Sequence, residues 1–172
     1  MNFVEPIRDR RKIAQIKNLL RAQKRHRDYL LFVFGINTAL RISDLLKLRV
    51  RDVFDGTMVK SQFSIKEEKR GKRNDVHINE SLREALSDFV QVYPTLLSDP
   101  ANCLFVNTTL LDMDNPIGRT RAWSIVSSIC KDVGLAGNYG THSLRKTWGY
   151  QARVHGVDLA LIMYKLNHSS IA

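Results

Sequence analysis

The sequence predicts a mainly α-helical domain with a small antiparallel β-hairpin, an α+β fold in one unit. Three observations predict it. Apolar residues recur at helical spacing between polar stops, as in Ile13, Ile16 and Leu20, and again in Leu82, Ala85, Leu86 and Phe89. One region alternates instead, with Phe63 and Ile65 answered by Val76 and Ile78 across a polar turn containing Gly71. Finally, 172 residues of which 44% are hydrophobic suffice for one core, and no repeat, low-complexity tract or Pro/Gly-rich linker divides them.

The elements follow in order. Asp9 to Gln23 reads as an amphipathic helix with basic residues around its outer face. Asp28 is placed to cap a second helix from Tyr29, apolar nearly all round and therefore buried. Gly35 and Asn37 interrupt that apolar run, which is too short to span a bilayer. A third helix begins at Arg41 or Ile42, with Leu45 and Leu48 facing inward. Met58 to Lys66 and Asn74 to Asn79 form the hairpin around Lys69-Arg70-Gly71-Lys72. Ser81-Leu82-Arg83-Glu84 matches a capping box for the next helix, which Pro94 closes. Cys103 to Val106 is a short extended piece. Thr120 to Val133, stopped by Gly134, then His142 to His155 and Asp158 to Leu166, complete the helices. The expected core contains Leu30, Phe32, Phe34, Leu45, Leu48 and Leu86; Trp123 and Trp148 read as core residues too.

Lys and Arg total 27 against 17 acidic residues, a formal charge of +10, which favours a polyanionic partner such as nucleic acid. No Cys/His cluster has metal-ligand spacing, and no cofactor is expected. Cys103 and Cys130 sit in apolar settings, as buried free thiols of a cytoplasmic protein do. The first residues do not form a signal peptide.

Four basic islands carry the chemistry. Arg41 and Asp44 fall on one helix face at i,i+3, either as a surface ion pair worth roughly 0.2–0.5 kcal/mol or as a guanidinium oriented by a carboxylate for a phosphate. Lys69 lies in the hairpin turn, where a lysine is either solvated or able to protonate a leaving oxygen. Arg70, Lys72 and Arg73 beside it are candidates for DNA-backbone contact. His142 and Arg145 share a helix face near its start, beside the positive end of the dipole. His168 follows an apolar helix, a position that suits a helix cap as well as a phosphate donor.

Together, Ala39-Leu40-Arg41-Ile42-Ser43-Asp44-Leu45, Lys69 in Lys-Arg-Gly-Lys, His142-Ser-Leu-Arg145 and Leu166-Asn-His168-Ser-Ser resemble the catalytic domain of the tyrosine recombinases, the phage integrase family. The family pattern has glycine where this chain has Ala39 and Asn167. The resemblance implies site-specific DNA recombination through a 3′-phosphotyrosyl intermediate, without metal or ATP. It implies catalytic roles for Arg41, Lys69, His142, Arg145 and His168, with Asp44 in support, and a homotetramer on double-stranded DNA. Two other readings share the basic face: a DNA-binding protein without chemistry, and a relaxing enzyme like the type IB topoisomerases. Only four residues follow His168 and none is tyrosine; Tyr139, Tyr150 and Tyr164 precede it. The expectation is therefore one catalytic domain over residues 1–172, cut before its nucleophile and inactive alone. No counterpart of the family's N-terminal DNA-clamping domain is expected in these residues.

Overall fold

The computed structural model describes residues 3–69, 71–110 and 112–166. Helix α1 (Arg10–Ala22) is capped by Asp9, whose carboxylate accepts from the Arg11 N–H at 2.8 Å. Helix α2 (His26–Thr38) is the central element. Leu30 to Phe34 are buried without a break, so no polar face exists for water to stabilise. Around it pack α1, α5 (Glu80–Val92) and α7 (Thr141–Val154). All six expected core residues belong to one cluster. Each fully buried Leu or Phe there contributes about 1.5–3 kcal/mol relative to exposure.

Helix α2 starts three residues before the sequence predicts. Asp28 is not its cap; its carboxylate is clamped between the Arg25 and Arg27 guanidinium groups at 2.9 and 2.8 Å. The capping box at Ser81 is likewise replaced: Asn79 caps α5 and accepts from the Leu82 N–H at 3.0 Å.

Two short helices, α3 (Ile42–Leu46) and α4 (Val50–Val53), lead into the extended region. There β1 (Phe54–Asp55) pairs with β2 (Met58–Val59), and β3 (Gln62–Lys66) pairs antiparallel with β4 (Arg73–His77), Phe63 facing Val76 and Ile65 facing Asn74. The predicted first strand is thus broken at Lys60 and Ser61. A third hairpin, β5 (Val106–Asn107) with β6 (Asp112–Pro116), follows a 3₁₀ turn at Pro94–Ser98. The described residues therefore hold three two-stranded sheets where the sequence predicts one hairpin. Helices α6 (Arg119–Asp132), α7 and α8 (Leu159–Lys165) close the fold, and Asp158 caps α8.

One close approach sets the position of α7. A Cβ on Gly35 in α2 would lie 2.8 Å from Leu144 Cβ, so only glycine lets the two helices meet there. The segment before α1 straps α7 from the other side: the Ile7 N–H donates to Thr147 Oγ1 at 2.8 Å, and Lys146 Nζ donates to the Val4 carbonyl at 2.9 Å. Cys103 and Cys130 are free and buried, as expected. No helix of the described residues is long and apolar enough to cross a membrane.

Candidate active site

The site begins where α2 ends. Ala39 adopts the left-handed conformation (φ +58), which costs an L-residue roughly 1–2 kcal/mol. The turn buries Leu40 and leaves Arg41 in extended backbone as the N-cap of α3. The Arg41 side chain is 17% exposed, and its Nη1 pairs with Glu67, a carboxylate fully removed from solvent at the end of β3. The other Glu67 oxygen accepts from Asn74 Nδ2 at 2.8 Å. The carboxylate bonded to Arg41 is therefore Glu67, where the sequence suggests Asp44. Asp44 instead accepts from the backbone N–H of Glu68 at 2.9 Å, and its Oδ2 is buried without a hydrogen-bond partner among the described residues. Both carboxylates tie the hairpin base to the start of α3.

Helix α7 supplies the second arm. Gly140 is its N-cap, and the Gly140 N–H donates to Ser143 Oγ at 3.1 Å. Trp123 of α6 lies against this turn: a Cβ on Gly140 would meet its Nε1 at 2.6 Å. Trp123 is half-exposed rather than a core residue, because it flanks the helix start at the surface. His142 is exposed in the first turn of α7. Arg145, one turn on, is 7% exposed. Its guanidinium donates through Nη1 to the Ala39 carbonyl and through Nη2 to the Leu166 carbonyl. One side chain thus joins the residue two before Arg41 to the residue two before His168. His168 itself lies outside the described residues, as does Arg70.

The hairpin and α8 form the remaining wall. Lys69 is exposed in the turn, as is Lys72. Arg73 is engaged across the strand pair, with Nε on Asp75 at 2.8 Å and Nη2 on Ser64 at 2.9 Å. Between β4 and α8 lies a cleft of about 410 Å³ lined by Lys72, Arg73, Asn74, Asp75, Tyr164 and Lys165. Lys165 Nζ spans it, donating to Asn74 Oδ1 at 2.6 Å and to the Asp75 carbonyl. Burial lowers the Lys165 pKa, and the negative charges of Asp75 and Glu67 partly oppose that shift.

Sequence reasoning missed Glu67, Asn74 and Lys165. A signal for the first two exists in the strand period. Phe63, Ile65 and Glu67 alternate inward, as do Asn74, Val76 and Ile78, so a carboxylate and an amide occupy core-facing positions.

Residues 10–172 match the family model described as "Phage integrase family". The chain belongs to the phage integrase family. It is 38% identical over 170 residues to the probable integrase/recombinase YoeC of Bacillus subtilis, covering 99% of this chain and 86% of that protein. It is 25% identical over 158 residues to the tyrosine recombinase XerA of Pyrococcus horikoshii, covering 92% of this chain but 52% of that one. Among solved structures it is similar to the XerA recombinase, with TM-score 0.77 and 19% identity over 99% of this chain and 58% of that chain. It is also similar to the XerH site-specific recombinase bound to its difH substrate, with TM-score 0.72 and 19% identity over 97% of this chain and 47% of that chain. The fold is that of a tyrosine recombinase catalytic domain, and the family is one of DNA breaking and rejoining in site-specific recombination.

Proposed function

We propose that this chain is the strand-cleaving part of a site-specific recombinase acting on double-stranded DNA. Arg41 and Arg145 balance charge on the pentacoordinate phosphorane. Lys69 protonates the leaving 5′ oxygen. His142 acts as base or hydrogen-bond donor and His168 as a further donor to the phosphate. A tyrosine supplied from outside residues 1–172 attacks and gives its phenol proton to a base, the role open to His142; the 3′-phosphotyrosyl bond forms while the P–O5′ bond breaks and the 5′ oxygen takes the Lys69 proton. Attack by a second 5′-hydroxyl reverses the step and rejoins strands in a new arrangement. A tetramer on DNA supplies the partner strands.

The observation that supports this reading is the double hydrogen bond of Arg145 to the Ala39 and Leu166 carbonyls, which ties the start of α7 to the backbone two residues before Arg41 and to the end of α8. The formal charge of +10 supports weak duplex binding with steep salt dependence through counterion release. Arg70, Lys72 and Arg73 are proposed to hold DNA backbone.

The polarity of the cut tests the proposal. Protein that includes the tyrosine should leave 5′ ends that a kinase labels directly and 3′ ends that stay blocked after protease digestion, because a phosphotyrosyl peptide remains on the 3′ phosphate. Free 3′-hydroxyls with 5′-linked protein, or no cut, would refute it. Relaxation of supercoiled plasmid with no sequence requirement and no strand exchange would move the assignment to a topoisomerase-like enzyme.

A further inference from the structure

On the strand-cleavage reading above, we propose that Glu67 is a positioning residue that aims Arg41 and couples it, through Asn74, to Lys165 at the end of α8. Glu67 continues the inward face of β3 past Phe63 and Ile65, so its carboxylate is delivered into the fold rather than to water. A buried carboxylate is costly unless each oxygen is matched. Here one oxygen holds Arg41 Nη1 and the other accepts from Asn74 Nδ2.

The Asn74 amide can sit only one way round. Its Oδ1 accepts from the Lys165 ammonium at 2.6 Å while its NH₂ faces Glu67 at 2.8 Å. A flip would set the amide oxygen against a carboxylate and the NH₂ against an ammonium. Donors and acceptors therefore alternate from Arg41 to Lys165 without a fault. The chain links α3, both hairpin strands and the last turn of α8, the elements nearest in sequence to Arg41, Lys69 and His168. Asp44 adds a parallel tie by holding the Glu68 N–H. With Nη1 held, Arg41 keeps Nε and Nη2 without a partner among the described residues, and these remain to meet a phosphate in a fixed orientation.

This arrangement has a cost that distinguishes it from plain packing. A carboxylate beside the phosphate site weakens DNA binding, so its removal should not lower affinity, whereas misaiming Arg41 should slow the chemistry. The test measures both on protein extended past Ala172 to include the tyrosine, using nicked duplex DNA. Glu67→Gln keeps the shape but cannot accept from both Arg41 and Asn74. It should slow covalent adduct formation by about 10- to 100-fold while duplex affinity stays equal or rises. Asn74→Ala, which leaves the Glu67–Arg41 pair, should show a smaller loss in the same pattern, and it serves alone if Glu67→Gln does not fold. An unchanged or faster rate in the folded variants overturns the proposal, as does a parallel fall of rate and affinity, which marks a structural role only. If the wild-type protein itself forms no adduct, the strand-cleavage reading fails and the positioning role fails with it.

Discussion

The α7 side of the site and the hairpin side hold their cations in different ways. Arg145 is nearly buried, and two backbone carbonyls from helix ends fix its guanidinium. Those carbonyls stand at the end of α2 and just past α8, so the arginine moves only if the helices move. Lys69 is exposed in a turn, with no hydrogen bond or ion pair of its own among the described residues. Burial and hydrogen bonding make the first arm pre-organised; solvent and a short turn leave the second to be set by what binds. The difference suits the proposed roles. Charge stabilisation works best from fixed dipoles and cations, whereas a proton donor has to reach the leaving oxygen only when the bond breaks.

The sharpest way to break this contrast is Arg145→Ala. In protein extended past Ala172, the variant should form adduct at least about 10³-fold more slowly, the loss expected when a principal charge-stabilising donor is removed. It should also lose about 1–3 kcal/mol of stability in denaturant unfolding, because the Ala39 and Leu166 carbonyls are left without their donor. Lys69→Ala should give the complementary result: adduct formation slowed about 10²-fold with an unchanged unfolding midpoint. A duplex with sulfur at the bridging 5′ position should restore most of that rate, since a thiolate leaves without a proton, and it should not rescue Arg145→Ala. If the sulfur substrate rescues neither variant, Lys69 is not the acid.

Two smaller effects probe the rigidity of the α7 side itself. Gly35→Ala forces a methyl into Leu144 and should cost about 1–3 kcal/mol by overpacking, with adduct formation slowed as α7 shifts. Cys130 lies in α6, which packs on α7, and burial pushes its thiol up to about 12. In the unfolded chain the thiol ionises near 9.0. Between those values the unfolded state has lost a proton that the native state keeps, so stability should fall as pH rises above 9. Cys130→Ala should flatten that slope, and in the native protein the thiol should resist alkylation at pH 8. Fast alkylation there would show that the α6–α7 side opens readily.

Much of the fold was legible because its helices carry strong periodicity: α1, α5, α6 and α7 lie within a residue or two of where their apolar stripes place them. The misses have physical causes. Asp28 looked like a cap but serves Arg25 and Arg27, since neighbouring guanidinium groups outcompete a helix N–H for a carboxylate. The β5–β6 hairpin was invisible because Asp112-Met-Asp-Asn-Pro116 has no apolar alternation; its pairing follows from register with Val106 and Asn107. In the site, Arg41, His142 and Arg145 stand out as side-chain motifs. The carbonyls that hold Arg145 could not be read, because every residue has one. Glu67 was readable in principle as an acid on an inward strand position, but Asp44 at i,i+3 offered a nearer partner for Arg41, and local spacing was the stronger cue.

On the proposed function, these cations surround one DNA phosphate and the tyrosine nucleophile comes from outside residues 1–172. This is tested most directly by incubating nicked duplexes of randomised sequence with residues 1–172 and, separately, with protein extended past Ala172, followed by denaturing gel electrophoresis. A protein band carrying labelled DNA is expected for the extended protein only. A labelled band from residues 1–172 would mean that one of its own residues is the nucleophile, and no band from either would mean that the phosphate-cleaving site is not there.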